Sequence, residues 1–137
     1  MKYWVIKSEA DAYSWDTFVK EKVTSWTGIR NYQACNNLAL MKIGDLAFFY
    51  HSVDERKIVG IAKVVKEAYI DPTADNPRWL TVDVAVVKPV KTPVDLALLK
   101  AMPELSETKI VKQGRLSVSE LSKKQFDLIL KLAQTTV

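Results

Sequence analysis

Hydrophobic and polar positions in the first third of the chain predict a strand followed by two short helices. The first residues alternate and are rich in β-forming side chains, so we expect a strand that ends at Lys7-Ser8-Glu9. Ser14 is placed to cap a helix through residue 20, with Asp16 in its first turn, where the helix dipole favours a negative charge. An apolar stripe at a spacing of about 3.6 residues predicts a second helix over residues 32–41.

The middle of the chain is typical of extended structure. Residues 46–52 and 58–69 are rich in apolar and β-branched side chains, and the polar segment 53–57 between them predicts a hairpin. A turn-rich segment over residues 71–77 separates this hairpin from residues 79–88, where apolar and polar side chains alternate as in a half-buried strand. We therefore expect three strands in this part of the chain.

The last third of the chain predicts short elements of both kinds. Thr92-Pro93 supplies a helix cap followed by proline at the first helical position, which predicts a helix over residues 94–102. Residues 110–112 and 116–118 are typical of short strands. The segment Ser122-Lys123-Lys124-Gln125 has the capping-box pattern, and the apolar positions after it predict a closing helix.

These elements define the expected class of fold. The chain predicts five or six strands and three or four short helices, joined mostly by hairpin-scale links and without regular alternation of strand and helix. This arrangement favours an α+β domain in which a curved antiparallel sheet closes into a small barrel with helices packed around it. Because the sequence contains no repeat and no linker, we expect one domain over residues 1–137.

Composition narrows the class of protein. With 48% hydrophobic and 26% charged side chains in 137 residues, the chain can form a core, and intrinsic disorder is excluded. Its one cysteine, Cys35, cannot form an internal disulfide, and no apolar run approaches the roughly 18 residues of a membrane-spanning helix. We expect a cytoplasmic protein that has no membrane partner and is a monomer.

The formal net charge is +4, and the basic excess is local. A slightly basic surface exposed to solvent would explain this excess, and so would a face that binds phosphate groups. Charge alone leaves both interpretations open. Between residues 109 and 124, Glu120 is accompanied by five basic side chains, which are Lys109, Lys112, Arg115, Lys123 and Lys124.

Few side chains suit catalysis or metal binding. A zinc site needs about four ligands, whereas the chain has one cysteine and one histidine, Cys35 and His51. Its four glycines are scattered, so neither a P-loop nor a dinucleotide-binding motif is present, and no cofactor is expected. His51 is the one candidate general base of the usual kind, while Cys35 lies on an apolar helical stripe that favours a buried structural role.

Aromatic and hydrogen-bonding side chains cluster at the ends of predicted elements. This mixture suits a pocket for a planar heterocycle, because aromatic rings stack on a base while amides and hydroxyls bind its edge. For Trp26 alone, a tryptophan buried in the core is the alternative interpretation. The segments concerned are Lys7-Ser8-Glu9, Trp26, Asn31-Tyr32 and Tyr50-His51-Ser52.

Six motifs spread over nearly the whole chain are specific enough to indicate a family. They are Lys7-Ser8-Glu9, residues 25–37, Met41-Lys42-Ile43-Gly44-Asp45, Phe48-Phe49-Tyr50-His51-Ser52, Val59-Gly60-Ile61-Ala62 and Arg115-Leu116-Ser117-Val118. In these motifs the sequence resembles the EVE domain family. The resemblance implies a PUA-like barrel related to YTH domains, with no catalytic activity. It also implies recognition of a modified base in DNA or RNA, such as a methylated or hydroxymethylated cytosine or a methylated adenine, by extrusion into an aromatic pocket.

The resemblance further implies roles for individual residues. Trp26 would be the principal stacking wall, packed on the ligand more than on the core, and Ser8 would bind the base edge. The implied pocket comprises Ser8, Trp26, Thr27, Asn31, Tyr32, Tyr50, His51 and Ser52. The implied rim and phosphate-binding residues comprise Lys7, Arg30, Asn36, Asn37, Lys112, Arg115 and Ser117.

Two positions depart from the family pattern, and two other functions stay open at this stage. Ala10 stands where the family usually has proline, and Cys35 stands where it usually has arginine, which removes a candidate phosphate contact. One alternative function is a small hydrolase or nucleotide-modifying enzyme, with His51 as general base oriented by Glu9. The other is a protein-interaction scaffold with no nucleic-acid ligand.

Overall fold

Six strands and five short helices form the chain in a computed structural model that describes residues 1–137. The strands are β1 (Tyr3–Glu9), β2 (Val23–Ser25), β3 (Leu46–Ser52), β4 (Lys57–Ile70), β5 (Leu80–Asp95) and β6 (Val118–Leu121). The helices are α1 (Trp15–Glu21), α2 (Tyr32–Leu40), α3 (Leu96–Ala101), α4 (Lys109–Lys112) and α5 (Lys123–Leu132). None of these helices is long and apolar enough to cross a membrane.

The strands form one mixed sheet in the order β2-β5-β4-β3-β1-β6. The expected hairpin of β3 and β4 and the expected α+β class are confirmed. One pair differs from the antiparallel arrangement: β1 and β3 are parallel, with Val5 opposite Phe48. The connection between these two strands passes through α1, β2 and α2, and a crossover of that length permits parallel pairing.

Both faces of the sheet are buried, which explains the nearly continuous apolar runs in β1 and β3. Helices α1 and α2 cover one face, and α3, α4 and α5 cover the other. We call the first buried cluster the Trp15 core; it includes Trp4, Ile6, Trp15, Phe18, Trp26 and Phe49. The second is the Phe126 core, which includes Val5, Phe48, Tyr50, Leu99, Ile110 and Phe126.

Helix α2 spans the gap between the two halves of the sheet. No ladder joins the edge strands β2 and β6, and α2 packs against both β5 and β6. Asn37 Nδ2 donates a hydrogen bond to the Val118 carbonyl at 2.7 Å, and Cys35 Sγ accepts one from the Leu80 N–H at 3.3 Å. A helix therefore completes the curved sheet, and the buried structural role expected for Cys35 is confirmed.

The predicted start of the helix at Thr92-Pro93 is wrong, because α3 begins at Leu96. Strand β5 continues to Asp95 because its backbone pairs with β4, with Ile58 opposite Val94. Pro93 is tolerated there since β2 pairs only with the region of β5 around Val84, which leaves this end of β5 with one strand neighbour. Asp95 caps α3 instead, accepting the Leu98 N–H at 2.8 Å.

Three further elements differ from the prediction. The segment 110–112, expected as a strand, belongs to helix α4, because packing against α3 and β6 decides between helix and strand in so short an apolar run. The strand expected over 116–118 begins at Val118, and β2 is a short edge strand that the sequence pattern did not predict. The caps at Ser14, with its hydroxyl bound to the Thr17 N–H, and at Ser122 are confirmed.

Gly60 marks a place where a helix approaches the sheet closely. The pairing of β4 with β5 shifts register at this residue, as strand glycines often permit. The Trp15 ring lies directly over Gly60, and any Cβ at this position would overlap the ring. The position of α1 on the sheet therefore requires a glycine, which has no side chain, at position 60.

We expect Gly60→Ala to destabilise the protein by about 1–3 kcal/mol, because a methyl group would push Trp15 out of its place in the core. Gly114→Ala is the matched control, since a Cβ there meets open space and the backbone is not left-handed; its effect should stay within about 0.5 kcal/mol. Urea unfolding followed by tryptophan fluorescence measures both. Equal stability of the two variants would contradict this packing.

Candidate functional site

Two cavities lie at the end of the sheet where β1 and β3 finish, and Lys7 lines both. The Trp26 cavity, of about 370 Å³, contains the predicted residues Ser8, Trp26 and Thr27. The Tyr50 cavity, of about 690 Å³, contains the predicted residues Tyr50, Ser52, Arg115 and Ser117. The structure therefore divides between two cavities a set of residues that the sequence predicted as one pocket and its rim.

The division follows from strand geometry, because neighbouring residues on a strand point to opposite faces. Tyr50 lies in the Phe126 core and is 3% exposed, whereas His51, the next residue, has its ring edge-on to Phe49 in the Trp15 core, with centroids 5.6 Å apart. Tyr50 and His51 cannot line one pocket. Burial raises the pKa of the Tyr50 phenol, so this hydroxyl is protonated at neutral pH.

Trp26 forms the wall of its cavity and is also part of the core. The indole is 6% exposed and meets Phe49 and Tyr13 edge-on, with centroids 5.6 and 6.1 Å away. The backbone N–H of Trp26 donates to the Val82 carbonyl at 2.8 Å, which ties the start of the loop between β2 and α2 to β5. The expectation that Trp26 packs mainly on a ligand is wrong, because most of the ring is covered by protein. The edge that remains is held rigidly.

Tyr13 is a cavity residue that sequence reasoning missed. Its hydroxyl donates to Glu21 Oε1 at 2.6 Å, and its carbonyl accepts the Ser8 hydroxyl at 2.7 Å. Burial, followed by the hydrogen bond to Glu21, raises the pKa of Tyr13 to about 12. An aromatic residue in the polar turn after Lys7-Ser8-Glu9 was the available signal, and only the fold places its ring against Trp26.

Asp71 holds the loop between β2 and α2 in place. Its carboxylate is fully buried, and its Oδ2 accepts the Gly28 N–H at 2.9 Å and the Arg30 guanidinium at 3.0 Å. The Thr73 N–H and hydroxyl donate to Oδ1, each at 2.7 Å. Burial alone would raise the pKa of Asp71, but the hydrogen bonds from Thr73, Gly28 and Arg30 outweigh it and hold the pKa well below its usual range.

This network changes the interpretation of Arg30. The sequence suggested a phosphate contact, and the structure shows the Arg30 guanidinium bound to Asp71, with a longer contact of 3.3 Å to Thr73. Gly28 has a φ of +86°, a left-handed conformation that suits glycine, and this turn aims its N–H at the same carboxylate. Arg30 therefore shapes the loop that carries Trp26.

His51 is held by a hydrogen bond at one ring nitrogen, and its other ring nitrogen lies near a carboxylate. Its Nε2 accepts the Trp15 N–H at 3.0 Å, which places the proton of the neutral ring on Nδ1, and Nδ1 lies 3.3 Å from Glu55 Oε1. Interaction with His51 is the main cause that lowers the pKa of Glu55. The expected partner Glu9 lines the Tyr50 cavity instead. No lone pair of His51 is left for a general base.

The predicted residues at the start of α2 lie outside both cavities. Asn31 caps the helix, with Oδ1 accepting the Ala34 N–H at 2.9 Å. Tyr32 is 63% exposed and packs on Trp79, with the Arg78 guanidinium 4.8 Å from its ring centroid. Roles for these two side chains in ligand binding stay predictions.

The remaining predicted residues are tied to other protein groups. Asn36 accepts a hydrogen bond from Arg78 at 3.0 Å, and Asn37 holds α2 to β6. Lys112 forms an exposed ion pair with Glu107 at 3.0 Å and lines neither cavity. No group of three or more His, Cys, Asp and Glu side chains is placed to hold a metal ion.

The chain belongs to the EVE domain family, whose pattern it matches over residues 2–132. Human thymocyte nuclear protein 1 is 38% identical over an alignment that covers 83% of this chain. The chain spans 61% of the length of that human relative.

Solved structures show the same fold. The crystal structure of the human THYN1 protein in complex with 5-methylcytosine containing DNA superposes with a TM-score of 0.91 and 33% identity, and each chain is fully covered. The YTH domain of the Zygosaccharomyces rouxii MRB1 protein, solved with N6-methyladenosine RNA, has a TM-score of 0.61 and 14% identity, with coverage of 99% of this chain and 88% of that one. The second likeness shows the fold alone, and together they confirm the expected PUA-like architecture.

We expect Asp71→Asn to lower the free energy of unfolding at pH 7 by about 2–3 kcal/mol, because a neutral amide replaces the carboxylate that accepts four hydrogen bonds. An aspartate with a lowered folded pKa stabilises the fold above its unfolded value of about 3.9 and loses that contribution as pH falls further. The difference between wild type and Asp71→Asn should thus be constant from about pH 8 to 5 and shrink below about pH 4. Denaturant titrations across this range measure it, and a constant difference down to pH 2 would contradict the assignment.

Proposed function

We propose that this chain is a non-catalytic nucleic-acid-binding module that takes a modified nucleobase, extruded from its strand, into the Trp26 cavity. The human THYN1 complex with DNA that contains 5-methylcytosine supports this ligand class, because that protein shares the fold along its whole compared length. A methylated cytosine in DNA is therefore the first ligand to test.

The observation that carries the proposal is a rigid aromatic wall beside polar groups in a cavity of suitable size. Its volume of about 370 Å³ lies within the usual range for small-ligand sites, which is about 300–1,000 Å³. Trp26 and Tyr13 supply aromatic surface, and Thr24 and Thr27 supply hydroxyls for a base edge. Extruding a base costs a few kcal/mol, and contact with the aromatic side chains together with hydrogen bonds to the base edge must return that free energy.

Packing against two other aromatic rings holds the Trp26 ring in place. Phe49 and Tyr13 fix the ring edge-on, so the ring cannot move aside to admit a larger ligand. A methyl group on the base adds only about 0.8 kcal/mol when it is buried. Discrimination between a methylated and an unmodified base is therefore expected to be modest unless the cavity encloses the methyl group on several sides.

The enzyme hypothesis has no geometric support in the protein. His51, its candidate base, is bound to the Trp15 N–H and lies beside Glu55, and its ring faces the core. Glu9, its candidate orienting group, belongs to the other cavity. The cytoplasmic location and the monomeric state stay predictions.

We expect Trp26→Leu to weaken binding of a single-stranded oligonucleotide with one 5-methylcytosine by about tenfold, because leucine keeps an apolar group in the core and removes the aromatic edge that borders the cavity. Alanine would be a poor choice here, since truncating a core tryptophan costs about 3–5 kcal/mol of stability. Isothermal titration calorimetry at a temperature where both proteins are folded gives the two affinities.

Trp79→Leu is the matched control for this test. Trp79 is a half-buried tryptophan that packs on Tyr32 and lines neither cavity. Its replacement should leave the affinity within about twofold, which corresponds to roughly 0.4 kcal/mol. Equal losses in the two variants, or none in Trp26→Leu, would place the base elsewhere.

A further inference from the structure

The Tyr50 cavity is lined by more cations than carboxylates. Four of its lining residues are cations, Lys7, Arg56, Lys100 and Arg115, and Glu9 is the one acid among them. None of the four cations forms an ion pair, although the chain contains several ion pairs elsewhere. A cavity with this balance of charge is suited to an anion.

Lys7 shows most clearly that a counter-charge is missing. Its ammonium donates to the Gly114 carbonyl at 3.1 Å and lies 5.3 Å from the centre of the Tyr50 ring, with no carboxylate within 4.0 Å. Burial lowers the pKa of Lys7, which means that the site has removed water from the cation without supplying a negative partner. Proteins normally pair such charges.

Arg56 and Lys100 line the Tyr50 cavity and also a neighbouring cavity that contains Asp54, Glu55 and Asp95, and neither cation forms an ion pair with these carboxylates. Arg56 Nε donates to the Val53 carbonyl at 2.8 Å, and the Arg56 carbonyl accepts the Leu96 N–H at 2.9 Å, so this turn is fixed to the start of α3. The two terminal nitrogens of Arg56 have no protein partner. Lys100 lies in the last turn of α3, on the same cavity.

We propose that the Tyr50 cavity binds the phosphate of the nucleotide next to the base that occupies the Trp26 cavity. This inference rests on the proposed function, because Lys7 lines both cavities and one strand would have to enter both. Lys7, Arg56 and Lys100 hold the phosphate oxygens, and the hydroxyls of Ser52 and Ser117 lie in the same cavity as further donors.

The size and lining of the cavity suit a whole nucleotide unit. Its volume of about 690 Å³ is nearly twice that of the Trp26 cavity, more than an isolated phosphate would fill. Leu96 and Ile110 give it an apolar side on which a sugar ring can pack. A flanking nucleotide therefore uses both kinds of surface that the cavity presents.

The test pairs a protein variant with a ligand variant. Arg56→Gln with Lys100→Gln should weaken binding of a single-stranded oligonucleotide with one 5-methylcytosine by about tenfold, and should reduce the slope of log affinity against log salt by about 0.7, the value for one phosphate on a single strand. The same oligonucleotide with a neutral methylphosphonate at the flanking linkage should bind both proteins with affinities within about twofold of each other. This coupling identifies the phosphate that the two cations contact.

The charge-matched control is Lys91→Gln with Lys131→Gln, two exposed lysines that line neither cavity. Lys100→Glu is a second variant that leaves the Arg56 turn intact and should weaken binding further. The inference would be overturned if the protein variant and the methylphosphonate each lowered the affinity by the same factor alone as in combination, at either flanking linkage. It would also be overturned if the control variant lost as much affinity as Arg56→Gln with Lys100→Gln. If deoxycytidine monophosphate alone binds and is lost in Arg56→Gln with Lys100→Gln while the oligonucleotide is unaffected, the cavity serves a free nucleotide and the inference is wrong. The proposed function is tested separately by the Trp26→Leu affinity.

Discussion

The buried carboxylate of Asp71 is the interaction on which the candidate site depends. It lies at the end of β4 and binds groups from the loop between β2 and α2, where Gly28 and Arg30 donate to one of its oxygens. An ionised carboxylate in the interior is unfavourable unless hydrogen bonds and charges surround it, and here both are present. The loop is therefore fixed at two points, at Asp71 and at the bond from Trp26 to β5. Trp26 projects from a loop that behaves as part of the core.

The second constraint is that the sheet is buried on both sides. Because residues alternate along β1 and β3, the polar groups at their ends separate into two sets, one on the side of the Trp15 core and one on the side of the Phe126 core. Lys7 lies at the boundary of the two cavities formed by these sets. A ligand with a flat apolar base and a charged backbone matches this pair of cavities, since each part meets its own kind of surface.

Local signals in the sequence predicted the elements that depend on local contacts. Ser14 and Ser122 mark helix starts because their hydroxyls bind N–H groups three residues later. The segments that failed are those decided by distant contacts: Pro93 lies in a strand because β4 pairs beside it, and α4 is a helix because of its neighbours. The residues Thr92-Pro93 are compatible with both a helix cap and a strand, and the pairing of β5 with β4 in the folded sheet decides between the two.

The sequence predicted which residues line the cavities better than it predicted which of them lie together in one cavity. Motifs placed Ser8, Trp26 and Tyr50 at the ends of elements, where the structure has them. Asp71 and Tyr13 could not be found from sequence alone. Asp71 binds Arg30, which is 41 residues away in the chain, and the role of Tyr13 depends on the packing of its ring against Trp26. The pairing of Arg30 with Asp71 could not be found from sequence for the same reason, because its partner is a buried side chain in a distant turn, and a phosphate contact of Arg30 stays a prediction.

The central claim is that a modified base contacts the exposed edge of Trp26. The chain has four tryptophans, so a ¹⁵N-labelled sample gives up to four indole N–H resonances in one NMR spectrum. Trp4 supplies an internal reference, because its indole N–H is buried and donates to Asp45 at 3.1 Å. On titration with a single-stranded oligonucleotide that carries one 5-methylcytosine, we expect the Trp26 resonance to shift and the Trp4 resonance to stay in place. A Trp26 resonance that does not move at saturation, while other resonances do, would contradict the account.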